Sequence, residues 1–121
     1  MPTMNAVQHW HVTLTLSGET WEQDAVRAAL HRLLDERPFL QSCTYASDTA
    51  EIRYWDQAET LQDAAAMALR LWGEHRRSAD LPPWAVIGLE VVDRPTMHRR
   101  EAGGLPRSTV ASVGEIRPLS V

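Results

Sequence analysis

From Gln8 to Leu16 the chain alternates, with Trp10, Val12, Leu14 and Leu16 on one side and His9, His11, Thr13 and Thr15 on the other. A period of two with β-branched residues predicts a strand with one buried face. "SGET" breaks the alternation, and Thr20 followed three residues later by Gln23 has capping-box spacing, each side chain placed to satisfy an open amide of a helix start. Val26, Ala29, Leu30, Leu33 and Leu34 then recur at helical spacing, which predicts a helix to about Glu36, ended by Pro38. The runs "PFLQSCTYA" and "TAEIRYWD" flank "SD" and read as a hairpin.

Thr60 opens a second predicted helix, with Asp63 in its first turn and Arg76 and Arg77 near its C-terminal end, each charge suited to the helix dipole. Its apolar stripe reads as Leu61, Ala65, Ala68 and Trp72, widened by Met67 and Leu71. The prolines of "ADLPPW" impose a loop, and "WAVIGLEVVD" follows as a fourth strand, apolar enough to be central or well covered.

Strand, helix, strand, strand, helix, strand is the split βαββαβ order, and over roughly residues 7 to 93 the chain resembles the ferredoxin-like fold. The resemblance implies an α+β domain with a four-stranded antiparallel sheet, both helices on one face, and the first strand between the third and fourth. "LPPW" leading into "GLEVVDR" also resembles small actinobacterial proteins, and no functional residue is carried across. Residues 1–93 are expected to form this domain. Residues 94–121, basic and containing Pro and Gly, read as a C-terminal extension in which "STVASVGEI" could pair as an added strand. A fold shared by many unrelated proteins does not by itself define an activity.

Composition narrows the classes. The chain has 121 residues, 44% of them hydrophobic, enough to bury one core. A lone cysteine, Cys43, excludes an internal disulfide and a Cys-rich zinc site, so a cytoplasmic address is expected. No apolar run approaches the roughly 20 residues of a spanning helix, and the first ten residues lack the basic start and apolar stretch of an export signal. No membrane partner is therefore expected. All twelve basic residues are arginine, which fits the codon bias of a GC-rich genome.

Through Asp93 there are 7 Arg against 14 acidic residues, a net charge of −7, while the remainder carries 5 Arg against 2 Glu, a net +3. An acidic body repels phosphate backbones, so no nucleic-acid partner is expected. The tail should be drawn to the body of its own or a second subunit.

If the apolar side of the first strand meets the helices, its histidines lie on the open side. There Glu51, Arg53 and Trp55 of the third strand join them, with Gly88 and Glu90 of the fourth, while Ile87, Leu89 and Val91 turn inward. The expected register sets His11 near Arg53 and Glu90, and His9 near Trp55. Leu40, Ser42 and Thr44 are expected on the same open face, with Phe39, Cys43 and Tyr45 in the core.

The candidate binding site is thus His9, His11, Glu51, Arg53, Trp55 and Glu90. A metal held by both histidines and Glu90 is disfavoured by the adjacent Arg53, and no metal or cofactor is expected. Histidine with a carboxylate suits general acid–base work, although no nucleophile or oxyanion donor accompanies it. A polar face covered by a second subunit or by the tail accounts for the same residues. The reading that results is a small homodimeric module binding a small molecule or protein on its open sheet face. The alternative is a small cofactor-independent enzyme, of lyase, isomerase or monooxygenase type, using His11 and Glu90. Replacing His9 and His11 together is expected to leave the fold intact. The five tryptophans read as packing residues, Cys43 as a small buried hydrophobe, and His31 and His75 as surface or boundary residues.

Overall fold

A computed structural model describes residues 7–102 and 115–119. The elements in chain order are β1 (Gln8–Ser17), α1 (Gln23–Glu36), β2 (Leu40–Tyr45), β3 (Thr49–Ala58), α2 (Leu61–His75), β4 (Ala85–Asp93), α3 (Arg94–Ala102) and β5 (Glu115–Pro118). They form an α+β unit whose sheet runs β4-β1-β3-β2-β5. Strands β4, β1, β3 and β2 are antiparallel to their neighbours, and β5 adds to β2 in parallel. The expected four-stranded antiparallel sheet is therefore corrected to a mixed sheet of five strands. The first strand does lie between the third and fourth, as its element order predicts. β4 is an edge strand among the described residues, not a central one, and its residues are no more than half-buried.

The alternation in β1 decides which face packs. Val12, Leu14 and Leu16 are fully buried in one cluster with Val26, Ala29, Leu30 and Leu33 of α1 and Ala68, Leu71 and Trp72 of α2. Both helices thus cover the same face of the sheet. The indoles of Trp10, Trp72 and Trp84 each donate to a backbone carbonyl, of Ala58, Pro82 and Glu19 respectively, at 2.8–3.0 Å. Each large ring is buried without stranding its N–H.

Several local expectations change. α1 begins at Gln23, its N-cap Glu22 makes no side-chain capping bond, and the Thr20–Gln23 capping box does not form. The segment is instead fixed by tertiary contacts, with the Trp21 amide donating to the Ser47 carbonyl at 2.8 Å. In α2 the Thr60 hydroxyl does accept from the Asp63 amide at 3.1 Å. The buried stripe of α2 is Ala64, Ala68, Leu71 and Trp72, so the helix is rotated from the expected stripe and Leu61 is 44% exposed.

Irregular strand pairing accounts for two reversals. A register shift between Leu40 and Ser42 sets Leu40 opposite the inward Tyr54, so Leu40 is fully buried and Phe39 is exposed. A second shift in β4 pairs Val86 with Leu16 and Gly88 with Thr15, leaving Ile87 between them and 65% exposed. An extra residue in one strand shifts the inside–outside alternation, so a strict period of two fails on each side of it.

The start of the C-terminal extension is helical. The Asp93 carboxylate accepts from the Thr96 amide at 2.9 Å, an N-cap for α3, and Pro95 lies in the first turn, where its missing N–H leaves no intrahelical bond unmade. β5 begins at Glu115, and the earlier part of "STVASVGEI" lies outside the described residues.

Candidate functional site

α3 sits on the sheet face opposite α1 and α2, where Arg94 and His98 share a hollow with His9 and Trp55 and where Arg100 pairs with Glu90 at 3.1 Å. This side carries His9, His11, Thr13 and Thr15 of β1, as the alternation predicts. The register is offset by two residues from the expected one. His11 faces Trp55 and Val92, Thr13 faces Arg53 and Glu90, and His9 faces Gln57. An offset of two preserves the face and changes the neighbours.

His11 is 4% exposed, its ring edge-on to Trp55 with centroids 5.0 Å apart. Its Nε2 lies 3.4 Å from the Gln41 Oε1, brought to this face by the β2 register shift. With that oxygen accepting, Nε2 carries the proton and Nδ1 presents a lone pair. Nδ1 is buried and has no partner among the described residues. Burial lowers the pKa of the imidazole, the Arg53 charge adds to the effect, and the Gln41 bond, Glu90 and Glu101 oppose it. The ring is thus held toward its neutral form.

The other candidates separate. Arg53 and Glu51 pair with each other at 2.7 Å, and Glu90 is bound by Arg100. The expected neighbour pairs His11–Arg53 and His11–Glu90 become diagonal, and His9 reaches Gln57, at 3.3 Å between side-chain nitrogens. Trp55 packs on His11 and lines one hollow with His9. Among the described residues, no three of His, Cys, Asp and Glu come together in a way that could hold a metal ion. Thr44, opposite Glu51 on the same face, has a buried hydroxyl without a partner.

The hollow lined by His9, Trp55, Arg94 and His98 has a volume of about 330 Å³ and opens widely to solvent. Arg94 and His98 were absent from the expected site because the segment reads as an appendage. The signal that could have found them is Asp93 followed by a first-turn proline, a helix start directly after the fourth strand.

A second hollow, of about 190 Å³, lies on the helix-covered side and is lined by Arg37, Phe39, Tyr54, Asp56 and residues of α2. There Arg37 lies over the Phe39 ring at 5.3 Å, and Arg37 and Arg70 both reach Glu74, at 3.6 and 3.7 Å. Next to it, Glu36 accepts from Ser78 and His75, and Arg37 donates to the His75 Nε2 at 2.8 Å. These bonds hold the Glu36 carboxyl below its ordinary pKa, Ser78 contributing most. His75 is therefore a partnered clamp between α1 and α2. Cys43 is buried and free, its thiol pushed up to about 12 by burial, as expected of a small hydrophobe.

The chain belongs to the family described as a domain of unknown function, DUF8830, whose model matches residues 9–108. Among solved structures it is similar to an acylphosphatase from Coxiella burnetii, at 13% identity over 93% of this chain and 94% of that one, with a TM-score of 0.39. No curated protein matches the chain. The family match ends before β5 and includes the whole of α3.

Proposed function

We propose that this domain is a binding module that takes a small molecule on the sheet face opposite α1 and α2. One observation carries the reading: the two buried side-chain atoms without hydrogen-bond partners among the described residues, the His11 Nδ1 and the Thr44 Oγ1, both lie on that face. Buried polar atoms are normally satisfied by protein or water, and on this face two such atoms have no protein partner among the described residues. The βαββαβ order with strands in the order β4-β1-β3-β2 supports a ferredoxin-like reading of the scaffold, with β5 as an addition. The acid–base alternative has less support, because Glu90 is engaged by Arg100 and faces Thr13.

Nuclear magnetic resonance of labelled protein tests this reading with a panel of single-ring anions, cations and neutral compounds at millimolar concentration. Shifts gathered on β1, β3 and α3 around His11, Trp55 and Arg94 are expected. Shifts confined to the helix-covered side, or none from any compound, contradict it.

A homodimer belongs to the same reading, supported by the edge position of β4 among the described residues and by Trp55 and Val92 on the open face. Leu40 and Val86 face the core side and add no apolar area to the open face. Sedimentation at several protein and salt concentrations is expected to show a dimer, weakened when residues after Asp93 are removed. A concentration-independent monomer defeats the dimer, and an unchanged truncated dimer defeats the tail's part in it. The reading also includes a cytoplasmic address, supported by the free thiol of Cys43.

A further inference from the structure

We propose that the hollow between β1, β3 and α3 takes an aromatic anion, a single flat ring bearing a carboxylate or phosphate, with Arg94 holding the anionic group and Trp55 the ring. This rests on the open-face reading and names the ligand class for it. The four lining side chains are an indole, a guanidinium and two imidazoles, with no carboxylate among them. Of the neighbouring acids, Glu90 pairs with Arg100 and Asp93 caps α3 through Thr96, while Glu101 of α3 acts on the His11 side of the hollow without lining it. Among the described residues Arg94 makes no ion pair, whereas Arg37 and Arg70 in the second hollow share Glu74.

An unpaired guanidinium in a concavity without acids favours an anion and opposes a cation. Trp55 is half-buried and set by its edge-on contact with His11, so presenting its ring to a ligand freezes little additional motion. The volume of about 330 Å³ is near the lower limit of roughly 300 Å³ for small-molecule pockets, which suits one ring and its substituent.

Calorimetry of the full chain with benzoate, phenyl phosphate, inorganic phosphate and benzylamine tests the inference, with R94A and W55F as variants. Arg94 is exposed, so R94A should keep the wild-type unfolding temperature. Benzoate or phenyl phosphate is expected to bind the wild type and to bind R94A about tenfold more weakly, as the loss of a charged hydrogen bond implies. The tighter of the two identifies the anionic group. Inorganic phosphate should bind more weakly than phenyl phosphate, and benzylamine should not bind. Aromatic anions that fail to bind, or that bind R94A equally, overturn the inference. If benzylamine alone perturbs the Trp55 indole resonance, the anion assignment fails while the open-face reading stands. If no compound perturbs that face, both fail. Phosphate binding as tightly as phenyl phosphate removes the role of the ring.

Discussion

Arg37 and Arg70 in the hollow beside α2 converge on Glu74, and the adjoining His75 has a partner on each ring nitrogen. In the hollow beneath α3, Arg94 has no ion pair among the described residues, and the nearby His11 leaves one ring nitrogen unbonded. Both regions contain an arginine, an aromatic ring and a histidine at or beside a concavity. Their inventories are similar, and the difference lies in pairing. Polar groups that satisfy one another tie helices together, while groups left unsatisfied keep their capacity for something else. On the proposed reading, the helix-covered side carries stability and the open side recognition.

The largest effect expected of the comparison is on the covered side. Leu14→Ala removes a fully buried side chain from the centre of the cluster and should cost about 2–5 kcal/mol in chemical denaturation. A cost below about 1 kcal/mol would mean that the core lies elsewhere.

Gly18→Ala should follow. A Cβ at Gly18 would clash with the Trp84 Cδ1 and approach the Trp84 backbone to 3.3 Å, so the indole must shift from its stack with Trp72. The cost should be about 1–3 kcal/mol. A neutral result would show that this corner repacks freely.

Much of this arrangement is legible in the sequence, and the misses share a cause. The alternation of β1 gives the correct faces because a strand buried on one side holds its period of two. The helix positions Val26, Ala29, Leu30 and Leu33 follow in the same way. Leu40 and Ile87 are misread because a bulge moves a residue across the sheet without leaving a mark in a six- to nine-residue strand. Register fails by two for a related reason: a slip of two keeps every side chain on its face, so hydrophobic patterning does not penalise it. His9, His11, Arg53 and Trp55 were therefore assigned to the correct face with the wrong neighbours. Arg94 and His98 go unread because the Pro- and Gly-containing segment after Asp93 reads as an appendage, and a short polar helix has no apolar stripe to announce it.

A smaller effect is the pH dependence that His11 lends to stability. Burial and the Arg53 charge lower the His11 pKa from its ordinary value of 6.5, while Gln41, Glu90 and Glu101 limit the shift. A base with a lowered folded pKa takes up a proton more readily when unfolded. Its contribution to stability is present above about pH 6.5 and is lost as pH falls through that value toward the folded pKa. Stability should therefore decline as pH falls from neutral through 6.5, and H11Q should flatten the decline. Glu36 and Asp93, both held below their ordinary values of 4.5 and 3.8, lose their contributions only at lower pH. An identical pH profile for H11Q and wild type would show that His11 titrates as an exposed ring does.

The smallest effect is expected at His9, which is half-buried and has a single weak contact with Gln57. His9→Ala should change stability by less than about 0.5 kcal/mol. The double replacement of His9 and His11 is no longer expected to be silent, because His11 is buried and packed against Trp55. Its cost should match that of His11→Ala alone. A cost well above that value would place His9 inside a bonded interior and blur the contrast between the two faces.

A crystal structure of the full chain soaked with benzoate tests the contrast between the hollows most directly. The account predicts benzoate in the concavity of His9, Trp55, Arg94 and His98, its carboxylate on the guanidinium and its ring on the indole. It predicts none beside Arg37 and Arg70. Benzoate in the Arg37 hollow, with the space beneath α3 empty, would contradict it.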